Sequence, residues 1–313
     1  MLEKFIGDKA FYRKLFMVMT PVLVQNVITN FVSLLDNIMV GQVGTEPMSG
    51  VAIVNQLLFV FNLCIFGGLA GAGIFTAQFY GKSDKKGLRD SVRAKYYIAT
   101  AAVLLCLGIF LVYGEELIGL FLHEGQENLD LEATLTYGMD YMHVMLLTTV
   151  PFAVMQVYGT TLRETGETFL PMKAGIIAVL VNLAGNYILI FGKLGLPAMG
   201  VRGAAIATVI ATAAGTMTHV VYAVVTRQPF LGKVREMTDW PASFIRPMLR
   251  RMVPVMGNEM LFGLGDTMYI KAYGLLGGSA LEIYKIGNTV GNFFYIAVLG
   301  MNNAVGLLVG EQL

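Results

Sequence analysis

Residues 15–40 read LFMVMTPVLVQNVITNFVSLLDNIMV, an apolar run that is interrupted at regular intervals by polar side chains. The run exceeds the about 20 helical residues that cross a hydrocarbon layer about 30 Å thick. Thr29 and Asp36 follow Gln25 by 4 and 11 residues, which places all three on one face of a helix. A polar stripe in a membrane span must face a cavity or another helix rather than lipid. This stretch therefore predicts a membrane helix with a functional face.

The composition of the whole chain is also that of a membrane protein. Hydrophobic residues make up 56% of the 313 positions and charged residues 14%, whereas soluble domains contain about 25% charged residues. The formal net charge of +1 argues against a nucleic-acid partner. Cys64 and Cys106 lie inside apolar runs, so we expect small buried side chains rather than a disulfide or a metal site.

Eight apolar stretches are long enough to cross a bilayer as helices. The predicted spans are Leu15–Val40, Val51–Tyr80, Tyr96–Tyr113, Leu135–Leu162, Met172–Phe191, Ala204–Val225, Met252–Leu275 and Leu281–Gly310. Helices satisfy their own backbone hydrogen bonds, which lipid cannot do. The predicted fold class is therefore an all-α integral membrane protein with a polytopic helical bundle.

The basic residues between the spans predict the orientation. Most of the 22 Lys and Arg residues lie on the side of the N-terminus, including Lys85, Lys86 and Lys95 in the predicted loop before the third span. The loop after the third span, on the other side, is acidic. Since Lys and Arg mark the cytoplasmic face, we expect a cytoplasmic N-terminus, with the chain in the cell inner (plasma) membrane and membrane lipids as partners.

An internal repeat predicts two lobes. A shift of 233 positions aligns Pro21 with Pro254 and Gly67 with Gly300. Repeats in the same orientation are related by an axis along the membrane normal. We therefore expect a six-helix N-lobe over 1–226, a cytoplasmic linker over 227–250, and the first two helices of a pseudo-symmetric C-lobe over 251–313. A complete duplication would need about 145 further residues, so a C-terminally incomplete chain is expected.

Ionisable and carboxamide side chains within the spans are the candidate coupling residues, because an acid in the bilayer is costly unless it has a role. Asp36 is expected to bind and release H⁺ or Na⁺. Asn182 and Asn186, one turn apart, could hydrogen-bond that carboxylate, supply oxygen ligands to a cation, or simply join two helices. Glu259 is a second candidate acid, placed about 12 Å into the membrane.

A substrate cavity is expected beside these residues, lined by Gln25, Thr29, Thr208 and Asp266. His143 and His219 are predicted to be core histidines with satisfied hydrogen bonds rather than proton relays. The sequence has no ATP-binding motif, so transport would use an ion gradient. No cofactor and no metal site are predicted, and Na⁺ enters as one of two coupling ions.

Three segments resemble the multidrug and toxic compound extrusion (MATE) family. Residues 35–41, LDNIMVG, resemble its helix-one signature. Residues 162–168, LRETGET, followed by Pro171 and Met172, resemble its loop between helices four and five. Residues 200–208, GVRGAAIAT, resemble the start of its sixth helix. Glu164 and Glu167 stand where that loop motif has Gly and Asp, and we interpret both as tolerated surface changes.

The resemblance implies twelve helices in two lobes and efflux of cationic amphipathic drugs in exchange for H⁺ or Na⁺. Asp36 matches the N-lobe acid whose protonation is linked to bending of helix one, and Asn182 matches its partner. Asn186 falls where some members have Asp. Glu259 matches the helix-seven acid of the NorM-like branch.

Two other classes of function compete with an antiporter. A flippase of lipid-linked sugars or polysaccharides, from the same superfamily, would need a groove lined with Arg and Lys, whereas the span interiors offer acids. A membrane-embedded enzyme or a structural subunit is disfavoured because the sequence has no zinc motif, Ser-Lys pair or paired intramembrane aspartates.

Overall fold

The computed structural model describes residues 9–122, 130–232 and 242–276, with single residues and short pairs between 280 and 305. Between residues 9 and 276 the described parts form eight helices. They are α1 Lys9–Gly41, α2 Thr45–Gly81, α3 Lys85–Gly119, α4 Leu131–Met145, α5 Thr149–Glu164, α6 Phe169–Phe191, α7 Gly200–Val225 and α8 Ala242–Leu275. A 3₁₀ turn at Leu146–Thr148 joins α4 to α5, so that Leu131–Glu164 forms one continuous span.

Six helical segments in the described residues are long and apolar enough to cross a membrane. They are Phe11–Gly41, Thr45–Gly81, Lys85–Gly119, Leu131–Glu164, Phe169–Phe191 and Gly200–Val225. They match the first six predicted spans, which confirms the all-α membrane fold.

The two predicted spans of the C-lobe have different outcomes. The seventh forms a helix, α8, which begins at Ala242 rather than Met252. This helix is not among the six that are long and apolar enough to cross a membrane. The eighth, Leu281–Gly310, lies largely outside the described residues. The boundaries of the two lobes and the linker stay predictions.

Short polar side chains determine where several helices begin. Asp84 accepts hydrogen bonds from the backbone N–H groups of Lys86 and Gly87, both at 3.0 Å, and so caps α3. Asp130 caps α4 in the same way. Gly192 ends α6 with a left-handed φ of 66°, which glycine adopts without steric cost.

α2 lies at the centre of the bundle and packs against α3, α4, α5 and α8. Its Val54, Ile65 and Leu69 are fully buried. Close approach of α8 depends on glycines of α2, because a Cβ at Gly71 would lie 2.9 Å from Met252 Cα. Many large apolar side chains on the outer surface are exposed, as a surrounding of lipid requires.

Candidate functional site

Asp36 on α1 lies against two asparagines of α6. Asn186 Nδ2 donates to Asp36 Oδ1 at 2.7 Å, and Asn182 lies one turn earlier on the same face. Both asparagines are buried, whereas Asp36 is half-buried. The structure thus brings together the three N-lobe residues that the sequence singled out, and their role in coupling stays a prediction.

The amide of Asn182 lies between Asp36 and Thr208. The groups around it favour the orientation in which its NH₂ group donates to both Asp36 oxygens, at 2.9 and 3.0 Å, and its oxygen lies 3.1 Å from Thr208 Oγ1. An ionised Asp36 needs donors, and both asparagines supply them.

A buried oxygen in this site lacks a partner. Within the described part of the chain, Asn186 Oδ1 accepts no hydrogen bond. Together with the Asp36 carboxylate it offers oxygen ligands, which suit a hard cation such as Na⁺. Nowhere in that part do three or more His, Cys, Asp or Glu side chains cluster as a metal site would require. One carboxylate and neutral amides can therefore bind a proton or a hard cation at this site.

Three of the residues predicted to line a substrate cavity form hydrogen bonds with other groups of the protein. Thr208 Oγ1 donates to the backbone oxygen of Ala204 at 3.0 Å and shares a hydrogen bond with Asn182. Gln25 Oε1 accepts from Arg163 Nη2 at 3.1 Å. Thr29 is exposed and donates to the Gln25 backbone oxygen within α1. The cavity itself stays a prediction.

The C-lobe acids lie on α8, apart from Asp36. Glu259 is half-buried and packs on α2, where a Cβ at Gly67 would lie 3.0 Å from Glu259 Cγ. Asp266 accepts a hydrogen bond from the Tyr284 hydroxyl at 3.0 Å. The structure therefore separates a site on α1 and α6 from a second acid at the contact of α2 and α8.

A buried ion pair was missed by the sequence analysis. Lys95 is fully buried and forms a salt bridge with Glu164, and its Nζ also donates to Thr160 and Thr161 at 3.2 and 3.3 Å. Lys95 lies on α3, about 15 Å from the helix start, and not in a loop as predicted. A Cβ at Gly73 would overlap the Glu164 carboxylate, so glycine makes room for the acid.

The interpretation of Glu164 as a surface change was therefore wrong, whereas that of Glu167 stays a prediction. Glu164 is paired with a buried cation. Glu167 accepts hydrogen bonds from the backbone N–H groups of Phe169 and Leu170, both at 3.1 Å, and from the Tyr222 hydroxyl. The signal in the sequence was Glu164, a large acid at a position where the MATE motif has Gly. Its partner Lys95 lies 69 residues away in the sequence, so local spacing did not reveal the pair.

The two histidines have different surroundings. His219 is buried, and its Nδ1 lies 2.8 Å from the Gly215 backbone oxygen, while its Nε2 has no partner in the described residues. His143 is exposed on α4, so its prediction as a core histidine was wrong. The position of His143 on an apolar helix did not indicate whether its side chain faces the core or the outer surface of the bundle.

Six apolar spans, one of which carries an acid bonded to a buried asparagine, define a polytopic helical membrane protein. The sequence matches the MatE family over residues 21–188, more than half of the chain, and the chain therefore belongs to that family. This confirms the resemblance to the MATE family.

The chain is similar to several known proteins. It is 28% identical over 296 residues to the "probable multidrug resistance protein NorM" of Thermotoga maritima, covering 93% of this chain and 61% of that protein. A variant of the Vibrio cholerae MATE transporter VcmN superposes with a TM-score of 0.79 at 22% identity, covering 96% of this chain and 66% of that one. A MATE structure in the straight conformation gives 0.82 at 17% identity, covering 97% and 66%.

Proposed function

We propose that this chain acts in secondary multidrug efflux, exchanging cationic amphipathic compounds for H⁺ or Na⁺. The observation that supports this best is a half-buried Asp36, in an apolar span, bonded to the buried Asn186. An intramembrane acid with neutral partners can exchange a cation without leaving a charged partner unpaired. Its relative NorM is named a multidrug resistance protein, which agrees with this proposal.

The proposed cycle uses an acid in each lobe. With the cavity open outward, H⁺ or Na⁺ binds at Asp36 and at Glu259, and this favours release of the drug. The cation-loaded protein then turns inward, releases its cations and binds another drug molecule. One charge that crosses 100 mV contributes about 2.3 kcal/mol, which is enough for accumulation by tens of times per ion.

The proposed setting is the plasma (inner) membrane with a cytoplasmic N-terminus, because Lys and Arg residues are concentrated on that side. Membrane lipids surround the exposed apolar faces of the helices. A cargo of lipid-linked sugar is less well supported, because the buried Lys95 faces Glu164 rather than a groove. An enzymatic role is disfavoured by membership of a transporter family.

The test is efflux of a fluorescent lipophilic cation, such as ethidium, from cells that produce the protein. We expect Asp36→Asn to abolish dependence on the ion gradient and to lower the efflux rate at least about tenfold, because an amide cannot bind and release a proton. Glu116→Gln, which removes an exposed carboxylate at the end of α3, serves as the matched control. Unchanged gradient-driven efflux in Asp36→Asn would show that the proposed mechanism is wrong.

A further inference from the structure

Two side-chain hydrogen bonds join one face of α1 to neighbouring helices. Gln25 accepts from Arg163 of α5 at 3.1 Å, and Asp36 accepts from Asn186 of α6 at 2.7 Å. The two α1 residues are separated by 11 positions, or about three helical turns, and so share a face. Only the second bond involves a group whose charge changes during the proposed transport.

The Gln25 side chain fits closely between α5 and α6. A Cβ at Gly175 on α6 would lie 3.0 Å from Gln25 Nε2 and 3.2 Å from its Cγ, so glycine creates the space that it occupies. Gln25 is half-buried there, in an environment where a lost hydrogen bond is not readily replaced by water. The contact therefore depends on residues of three helices.

Arg163 lies beside an ion-paired residue at the end of α5. The next residue, Glu164, pairs with the fully buried Lys95, which also bonds Thr160 and Thr161 one turn earlier. Arg163 and Glu164 thus point to different sides of the bundle, toward α1 and toward α3. This ion pair joins the end of α5 to α3, and from that end Arg163 reaches Gln25 on α1.

The Gln25–Arg163 bond does not depend on the ligand at Asp36. Gln25 is neutral and Arg163 is always charged, so H⁺ or Na⁺ at Asp36 leaves this bond intact. Four residues earlier, Pro21 removes a backbone N–H and allows α1 to bend. Bending of the outer part of α1 would pull Gln25 away from Arg163.

We propose that Arg163 is a positioning residue that holds α1, through Gln25, in the conformation in which Asp36 contacts Asn186. The inference rests on the proposed function, since it concerns the helix that bears the coupling acid. Bending of α1 breaks the Gln25–Arg163 bond. Cation binding at Asp36 must therefore favour the bent conformation by more free energy than this bond contributes to the unbent one.

The test measures the position of α1 in the full chain in lipid nanodiscs. Spin labels at Ile38→Cys and Glu116→Cys, both exposed at the same end of the bundle, report the distance from α1 to α3 by pulsed electron paramagnetic resonance. Cys64 and Cys106 are replaced by Ala. The conformation in which Gln25 contacts Arg163 gives one distance, and the conformation in which α1 has bent away gives a second. We expect Gln25→Ala to raise the ratio of the second population to the first about tenfold, because it removes a hydrogen bond to a charged group.

Gln25→Glu should shift the populations in the opposite direction, because it forms an ion pair with Arg163. The added substitution Arg163→Gln should cancel that gain, which gives a double-mutant cycle. General loss of stability would not produce shifts of opposite sign at one position. Asn30→Ala is the matched control, since the Asn30 side chain bonds a backbone oxygen within α1 and should leave the distances unchanged.

Equal distances in Gln25→Ala, Gln25→Glu and the parent protein, or shifts in the same direction, would overturn the proposal. Asp36→Asn separates this from failure of the proposed function. If Asp36→Asn moves α1 and the Gln25 variants do not, the role of Arg163 is wrong and the coupling site stands. If the Gln25 variants move α1 and Asp36→Asn does not, the role of Arg163 stands and coupling through Asp36 fails.

Discussion

At the scale of single residues, the proposed coupling site combines one acid with two neutral amides. Asn182 and Asn186 lie against Asp36, and Thr208 Oγ1 lies 3.1 Å from the Asn182 amide. Neutral partners leave no fixed positive charge to hold Asp36 permanently ionised. The proposed exchange of a cation requires such partners, since an Arg–Asp pair would keep the acid ionised.

The Lys95–Glu164 pair has the opposite character, because both members are charged and held in place. We predict that Glu164→Gln lowers the free energy of unfolding by about 3–5 kcal/mol, since it leaves Lys95 buried without a counter-charge. Denaturation of the purified protein in mixed micelles measures this change.

The matched control replaces both members of the pair. Lys95→Met combined with Glu164→Leu removes both charges and should recover most of the lost stability. If Glu164→Gln is as stable as the parent protein, the ion pair does not exist in the membrane.

At the scale of helices, α2 and α8 approach closely because α2 has glycines at the contact. A Cβ at Gly71 would lie 2.8 Å from Met252 Cγ and 2.9 Å from its Cα, so backbone must shift. We predict that Gly71→Ala destabilises the protein by about 1–3 kcal/mol, the cost of overpacking. Thermal unfolding in detergent measures this effect.

Gly108→Ala provides the comparison within another span, because a Cβ at Gly108 on α3 meets no described atom within 4 Å. It should leave stability unchanged or slightly raised, as Ala is the better helix former. Equal melting temperatures for Gly71→Ala and Gly108→Ala would contradict the packing of α8 on α2.

Sequence periodicity predicted the features that lie along single helices. The six spans followed from apolar length, and Asn182 and Asn186 shared a face because they are one turn apart. Contacts between helices did not follow from periodicity. The cluster of basic residues predicts a loop at Lys95, but α3 begins at Lys85, eleven residues before the predicted span, and Lys95 is paired with Glu164. Similarly, nothing along α1 indicated that Gln25 meets Arg163.

At the scale of the molecule, the described residues place the two candidate acids in different structural units. Asp36 lies between α1 and α6, whereas Glu259 lies on α8 against α2. The chain spans 61% of the length of the NorM relative from Thermotoga maritima. In the proposed cycle each of the two acids binds its own cation, so we expect Asp36→Asn and Glu259→Gln to measure the two contributions independently.

The most direct measurement is the release of cations when a drug binds to the purified protein. Tetraphenylphosphonium is added in weakly buffered detergent solution, and released H⁺ is followed with a pH indicator and released Na⁺ with a radioactive tracer. We expect the parent protein to release H⁺ or Na⁺ in proportion to bound drug, Asp36→Asn to release less, and Glu116→Gln to release the same amount. Equal release by the parent protein and Asp36→Asn would contradict a coupling site at Asp36.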